Sequence, residues 1–244
     1  MSSFAHSAAT ALHLVITPDP ALWTIVGRSL AVSGVACLLA CGGGLVAGAW
    51  LGVARFAARG MLLTLLNTLL AVPSVVVGLV VYLLLSRSGP LGQLGWLFSF
   101  KAMVLAQCLL VLPVAAALTR QVVEDAERAH GEQLQSLGAA PLVRSLLLAW
   151  DERYALLTVL IACFGRAVSE VGAVMVVGGN IDGFTRVMTT AIALETSKGD
   201  LPLALALGMV LLGVVLVLNA VIALVRRWRL VRSDQPLLVQ AAAG

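Results

Sequence analysis

Five long apolar stretches constrain this chain more than any other feature. A helix needs roughly 20 apolar residues to cross a bilayer, and the stretches of about that length cover residues 29–54, 61–85, 102–119, 154–179 and 201–225. Of the 244 residues, 60% are hydrophobic and only 11% are charged, whereas soluble domains carry about 25% charged residues. The sequence therefore predicts an all-α integral membrane protein with five transmembrane helices and no sizeable soluble domain.

The distribution of basic residues predicts how these helices are oriented. With the C-terminus in the cytoplasm, 10 of the 16 Lys and Arg residues lie on the cytoplasmic side, 5 lie outside, and Arg166 lies within a span. Cytoplasmic loops of membrane proteins carry such an excess of Lys and Arg. We therefore expect a short outer N-terminal segment (1–28), a single transmembrane domain (29–225) with a cytoplasmic loop at 120–153, and a basic cytoplasmic tail (226–244).

The cytoplasmic loop contains the polar run HGEQLQSLGAAPLVRSLLLAW at residues 130–150. Glu132 precedes Gly138 by six residues, and Leu148 follows that glycine by ten. This spacing resembles the loop by which permease subunits of ATP-binding-cassette (ABC) importers engage their ATPase: Glu-Ala-Ala, three residues, Gly, nine residues, Ile-x-Leu-Pro. Gln133-Leu134 and Trp150-Asp151 depart from that pattern.

The resemblance implies which residues of this loop couple the chain to an ATPase. A short helix after Gly138 would sit in a cleft of the ATPase, and Gly138 would supply the positive φ or the close backbone approach needed between two short helices. The coupling residues implied in this way are Glu132, Gly138, Ala139, Pro141 and Leu148.

Two charged residues, Arg166 and Glu170, lie within the fourth apolar stretch. They are four residues apart, so in a helix they lie on one face and can pair. Intramembrane charges usually face the bundle interior or a water-filled path. One interpretation is a mutually neutralising structural pair. A second is that Arg166 lines the route of an anion and Glu170 holds it in place, and a third is that Glu170 relays protons.

Glycine and proline positions predict how the spans pack and bend. Gly44, Gly48 and Gly52 form a small-residue ridge that lets helix backbones approach closely in lipid, with a gating role as the alternative. Pro73 and Pro113 lie inside the second and third spans, where each removes a backbone hydrogen bond and is expected to bend its helix. Bends of this kind suit a transporter but also occur in static bundles.

The segment after the fourth span predicts an ordered outer loop. Asn180-Ile181-Asp182-Gly183 is typical of a turn, and residues 187–196 are expected to form a short helix at the outer membrane surface that ends at Gly199-Asp200. The candidates for an outer loop or gate are Gly178, Gly179 and Asn180.

A longer resemblance covers residues 23–225. The run FGRAVSEVGAVMVVGGNIDGFTRVMTTAIALETSKGD is similar to a stretch of molybdate and tungstate permeases, and residues 72–92 and 192–196 favour the tungstate branch. The resemblance implies a bundle like that of type I ABC importer permeases, in the bacterial inner membrane. It further implies a homodimer, cytosolic ABC ATPase subunits, an extracytoplasmic oxyanion-binding protein, and alternating access that moves tungstate into the cytoplasm.

The sequence indicates no chemistry of its own. It contains no GxxxxGK[ST] phosphate-binding loop, so we expect no catalytic residue, with ATP bound and hydrolysed by a partner subunit. Three scattered histidines and four cysteines inside apolar stretches predict no metal site and buried free thiols. The net charge of +4 is explained by anchoring at an anionic inner leaflet and needs no nucleic acid. The alternatives are a permease for molybdate or sulfate, and an ATPase-independent anion channel or carrier.

Overall fold

A computed structural model describes residues 2–17 and 19–241, and the secondary structure assigned within them is entirely helical. A 3₁₀ turn at Gly92–Leu94 lies between α4 and α5. The α-helices in chain order are α1 (Ser2–Ile16), α2 (Pro20–Val53), α3 (Arg59–Ala71), α4 (Ser74–Leu85), α5 (Phe100–Ser136), α6 (Pro141–Asp151), α7 (Arg153–Val168), α8 (Gly172–Gly178), α9 (Met188–Lys198) and α10 (Leu201–Ala241).

Three of the described helices are long and apolar enough to cross a membrane: α2, α5 and residues 201–225 of α10. The pairs α3 with α4 and α7 with α8 each reach that length together, but each pair is bent at a short break. The described residues thus provide three spans, or five if each bent pair is one span. The predicted all-α membrane class is confirmed, while the five-helix count and the orientation stay predictions.

The second predicted span (61–85) is two helices rather than one. The axes of α3 and α4 meet at 98°. Val72 is extended, with φ −64° and ψ 128°, and Pro73 is the residue that precedes α4. Proline lacks the N–H that a helix needs, and its ring disfavours helical backbone at the preceding residue. The predicted bend at Pro73 is confirmed and is sharp, whereas α5 continues through Pro113 without a break.

Several helices extend beyond the predicted spans. α2 starts at Pro20, where the Asp19 carboxylate accepts hydrogen bonds from the backbone N–H groups of Ala21 and Leu22 at 3.4 and 3.3 Å, a typical N-cap. α5 continues to Ser136, so much of the predicted loop 120–153 is helical. Residues 226–241, predicted as a tail, continue α10, and residues 242–244 lie outside the described part.

The N-terminal segment is more structured than a short outer segment would be. It contains α1 and the first turns of α2. Ala11 of α1 is fully buried in a cluster with Ala206 and Leu207 of α10 and with Leu22 of α2. α1 therefore packs against the first turns of α10.

The centre of the bundle is the packing of α2 against α5. A Cβ added to Gly48 would lie 2.4 Å from the Ala116 carbonyl oxygen, and one added to Gly44 would lie 2.7 Å from the Ala115 Cβ. Gly52 is similarly close to Val123. The predicted small-residue ridge is therefore the surface along which these two helices approach each other closely.

The four cysteines lie in this core as free thiols. Cys37, Cys41 and Cys163 are buried and Cys108 is half-buried. They come from α2, α5 and α7 and pack with Val111 and other apolar side chains. The prediction of buried free thiols is confirmed for the three buried cysteines, and Cys108 is a free thiol at a partly buried position.

The predicted outer elements are present. The segment 180–186 forms a turn, and α9 covers Met188–Lys198, close to the predicted 187–196. Gly199 ends α9 in the left-handed conformation with φ 83°, which glycine adopts without steric penalty. The structure therefore holds a short helix between the fourth and fifth predicted spans.

Candidate functional site

The junction of α5 and α6 is set by Gly138. Its φ is 78°, in the left-handed region that favours glycine. The Gly138 N–H donates to the Gln135 carbonyl at 2.9 Å, and the Ala139 N–H donates to the Leu134 carbonyl at 3.1 Å. These bonds close the end of α5, and Pro141 then occupies the first position of α6, where its missing N–H costs nothing. The short helix predicted after Gly138 is therefore present.

Helix α6 has two apolar sides with different surroundings. Its inner side buries Leu148, which packs against Val53 of α2 and Val123 and Ala126 of α5. Its opposite, exposed side carries five large apolar side chains that are 47–72% exposed, here called the α6 apolar face: Leu142, Val143, Leu146, Leu147 and Trp150. Such a patch on a helix outside the apolar spans is typical of a surface that another protein or a membrane covers.

The predicted coupling residues lie at different places around this junction. Glu132 is exposed in the last turns of α5, and Gly138 and Pro141 are exposed at the junction. Ala139 is partly exposed, and Leu148 is 3% exposed on the inner side. Leu148 therefore lies opposite the α6 apolar face, and a partner that covers that face would not touch its side chain directly.

A buried ion pair joins α6 to α5. Arg144 Nη2 lies 3.0 Å from Glu127 Oε1, and both side chains are almost completely buried. Neither residue was predicted from the sequence as part of a site. The available signal was a pair of opposite charges flanking the Gly138 turn, but 17 residues separate them in the sequence, and only the fold back at Gly138 brings them together.

A second ionic cluster ties the start of α3 to α5. The Glu124 carboxylate accepts hydrogen bonds from Arg59 at 3.3 Å, from Arg128 at 3.2 Å and from Arg120. Arg59 also donates to the Leu51 carbonyl at the end of α2. Three guanidinium groups therefore surround one carboxylate where α2, α3 and α5 meet, whereas in the sequence these arginines indicated only the orientation of the chain.

The Arg166–Glu170 pair forms as the spacing predicted, with Arg166 Nη1 2.7 Å from Glu170 Oε2. The two residues do not share one continuous helix, because Glu170 lies in the 56° break between α7 and α8. Its Oε1 accepts the Ala173 N–H at 3.3 Å, at the start of α8. The Glu170 side chain is 4% exposed, whereas that of Arg166 is 49% exposed. The carboxylate is therefore enclosed, and the half-exposed Arg166 side chain contacts it through Nη1.

Polar contacts from two other helices hold this break in place. The Gln107 amide of α5 donates to the Ala167 carbonyl at 3.0 Å, and the Thr189 hydroxyl of α9 donates to the Glu170 carbonyl at 2.7 Å. Unpaired backbone groups are costly in lipid, so these bonds make an interrupted helix tolerable there.

The three candidates for an outer loop or gate lie at the end of α8 (Gly178) and in the turn that follows it (Gly179 and Asn180). Gly179 and Asn180 have φ values of 69° and 50°, and the Asn180 amide donates to the Thr190 carbonyl at 3.2 Å. A Cβ at Gly179 would lie 2.8 Å from the Phe98 ring, and the Gly178 carbonyl accepts from Thr185. The turn is therefore closely packed against the segment before α5 and against the start of α9.

The three predicted groups of residues lie on separate elements: the α5–α6 junction, the α7–α8 break and the turn after α8. Among the residues that the structure describes, no group of three or more His, Cys, Asp or Glu side chains is placed to hold a metal ion. The arrangement combines an exposed apolar patch on α6, an ion pair at the break of the bent helix pair α7–α8, and a closely packed turn after α8.

Comparison with known proteins finds relatives over most of the chain, although no family model matches. The chain is 40% identical over 226 residues to the tungstate uptake system permease protein TupB of Peptoclostridium acidaminophilum. The matched region covers 91% of this chain and 97% of that protein. It is 36% identical to TupB of Campylobacter jejuni, over 86% of this chain and 87% of the relative. A probable anion ABC transporter permease protein of Haloferax volcanii is 40% identical over 82% of this chain and 88% of its own length.

Proposed function

The chain belongs to the permease subunits of ABC transporters, in the family of the tungstate uptake permeases TupB, and on that premise we propose how it carries its substrate. It is a membrane-embedded transport component and not an enzyme. Its substrate is tungstate, an oxyanion, which it moves into the cytoplasm.

We propose that the α6 apolar face docks into a cytosolic ABC ATPase subunit, which binds and hydrolyses the ATP. One observation carries this proposal: five large apolar side chains are exposed together on a helix that lies outside the apolar spans. Apolar side chains left in water are unfavourable by about 25 cal/mol per Å², so a stable partner gains by covering them. Glu132 and Gly138 then position the docked helix from the α5 side.

We propose that the translocation route runs past Arg166 in a homodimer of this chain. The Arg166 guanidinium is half exposed, and a half-exposed charge within an apolar span is stable only where water or a partner meets it. A positive charge there lowers the barrier for a dianion. Glu170, enclosed and hydrogen-bonded, holds the guanidinium and limits how tightly it can bind the anion.

The outer turn with Gly178, Gly179 and Asn180 would receive tungstate from an extracytoplasmic binding protein. The bent pairs α3–α4 and α7–α8 provide the breaks about which the route can open alternately to the two sides. Closure of two docked ATPases would move the two α6 helices together and open the route outward. Hydrolysis would then reset it and release the anion inward.

The experiment that tests docking is co-isolation of the ATPase with permease variants. We expect Leu146→Ser to weaken co-isolation and to lower tungstate uptake in proteoliposomes. Phe184→Ser is the matched control, because Phe184 is equally exposed (60%, against 61% for Leu146) but lies in the outer turn. Equal retention of the ATPase by both variants would contradict docking through α6.

A further inference from the structure

The buried ion pair between α6 and α5 has an incomplete geometry. Arg144 Nη2 contacts Glu127 Oε1 at 3.0 Å, but Arg144 Nε and Glu127 Oε2 are both buried without a hydrogen-bond partner in the described structure. An arginine side chain can present Nε and Nη2 to a carboxylate as two parallel donors. The pair therefore makes one close ionic contact, and a second donor and a second acceptor of a two-bond fork lie buried without partners.

The space around Glu127 is reserved for this carboxylate. A Cβ at Gly131, one turn further along α5, would lie 2.8 Å from Glu127 Cδ and 3.0 and 3.1 Å from its two oxygens. Any larger residue at position 131 would push the carboxylate away from Arg144. Leu148, one turn after Arg144, packs against Val53 and Val123, so the second contact of this side of α6 is apolar.

We propose that Arg144 and Glu127 are positioning residues that transmit movement of α6 to α5. When α6 is pushed toward α5, the pair closes from a single ionic contact to two parallel hydrogen bonds. This inference rests on the proposed docking of an ATPase on α6. A contact can couple two positions of a helix only if its free energy differs between them. One additional charge-assisted hydrogen bond changes the ratio of two states by about tenfold or more.

The pair is well placed for this role because it stands between the docking surface and the membrane. Arg144 lies on the inner side of α6, opposite the α6 apolar face, and Glu127 belongs to the helix that packs along α2 through the glycine ridge. A push on α6 reaches α5 through one charged contact and one apolar contact. The charged contact is the directional one, because its two bonds form only at one relative position.

The test is the ratio of tungstate uptake to ATP hydrolysis in proteoliposomes that contain the complete permease–ATPase complex. Arg144→Lys keeps the charge but cannot present two parallel donors. We expect it to assemble and to hydrolyse ATP, with uptake per ATP lowered about tenfold. Glu127→Gln removes the charge but keeps the shape and is expected to uncouple similarly.

Arg128→Lys is the matched control. Arg128 lies on α5 beside Glu127 and pairs with the Glu124 carboxylate, but its side chain is exposed. It should leave uptake per ATP unchanged. Normal coupling in both Arg144→Lys and Glu127→Gln would overturn the inference, and so would equal uncoupling in Arg128→Lys. If the Arg144→Lys complex does not assemble, the coupling ratio of Glu127→Gln alone decides the test. If the wild-type chain itself fails to co-isolate with an ATPase, the proposed function fails instead.

Discussion

Removing one partner of the Arg166–Glu170 pair should have unequal effects. The carboxylate is 4% exposed and the guanidinium side chain 49% exposed. Arg166→Met leaves a buried carboxylate whose remaining partners are the Ser74 side chain and the Ala173 N–H, and removing one partner of a buried ion pair costs about 3–5 kcal/mol. Glu170→Gln leaves a half-exposed guanidinium. If water meets that guanidinium, the loss is that of an exposed pair, about 1 kcal/mol or less.

The difference is measurable as thermal unfolding of the purified chain. For a protein of this size, each kcal/mol shifts the Tm by about 2–4 °C, so we expect Arg166→Met to lose about 6–20 °C. Glu170→Gln should lose about 4 °C or less. The double variant should recover most of the loss of Arg166→Met, because the amide that replaces the Glu170 carboxylate carries no charge.

The result also separates the structural and transport interpretations of the pair. An equal, large loss of Tm in Glu170→Gln would refute the reasoning, because it would place the Arg166 guanidinium in apolar surroundings. A stable double variant that also transports tungstate normally would exclude Arg166 from the anion route. A stable double variant with low uptake per molecule supports that route.

Three further predictions follow from single positions. Gly138→Val should lower uptake and ATPase stimulation, because left-handed backbone strains a β-branched residue by about 1–3 kcal/mol. Gly138→Asn should retain both activities, because asparagine tolerates that conformation. Equal activity of the two variants would exclude the backbone argument. Gly48→Ala should destabilise the chain by about 1–3 kcal/mol, because the new Cβ meets the Ala116 carbonyl. A Cβ at Gly42 meets nothing within 4 Å, so Gly42→Ala should be nearly neutral in thermal unfolding. A cysteine at Ser88 should react with an impermeant thiol reagent added outside intact cells and one at Ser136 should not, and the reverse pattern would overturn the orientation.

The sequence predicted the class and much of the order of elements because lipid imposes simple rules. Long apolar runs indicated the spans, and the glycine at 138 and the Asn180–Gly183 turn marked real changes of direction. α9 ends before Gly199 and α10 begins after it, both close to the predicted residues. These features depend on local composition and backbone conformation, both of which are visible in a single sequence.

The broken spans show where local patterns were insufficient. Pro73 marked a bend, but an apolar run of 25 residues looks the same whether its helix is straight or turns through 98°. The break at Glu170 had no proline to mark it. It is stabilised by hydrogen bonds from Gln107 and Thr189, which come from helices distant in the sequence. Hydropathy measures transfer into lipid and carries no information about such contacts.

The coupling site illustrates the same limit at the level of single side chains. The motif spacing located Glu132, Gly138 and the helix after it, but it also placed Leu148 among the coupling residues without indicating that this side chain faces inward. Which side of α6 is inner is decided by Val53, Val123 and Glu127, on two helices that the loop meets only after it folds back. Both sides of α6 carry apolar side chains, so hydropathy alone does not separate the buried side from the exposed one. Arg144 lies on the buried side because it meets Glu127 of α5 there, and no spacing within the loop indicates that partner.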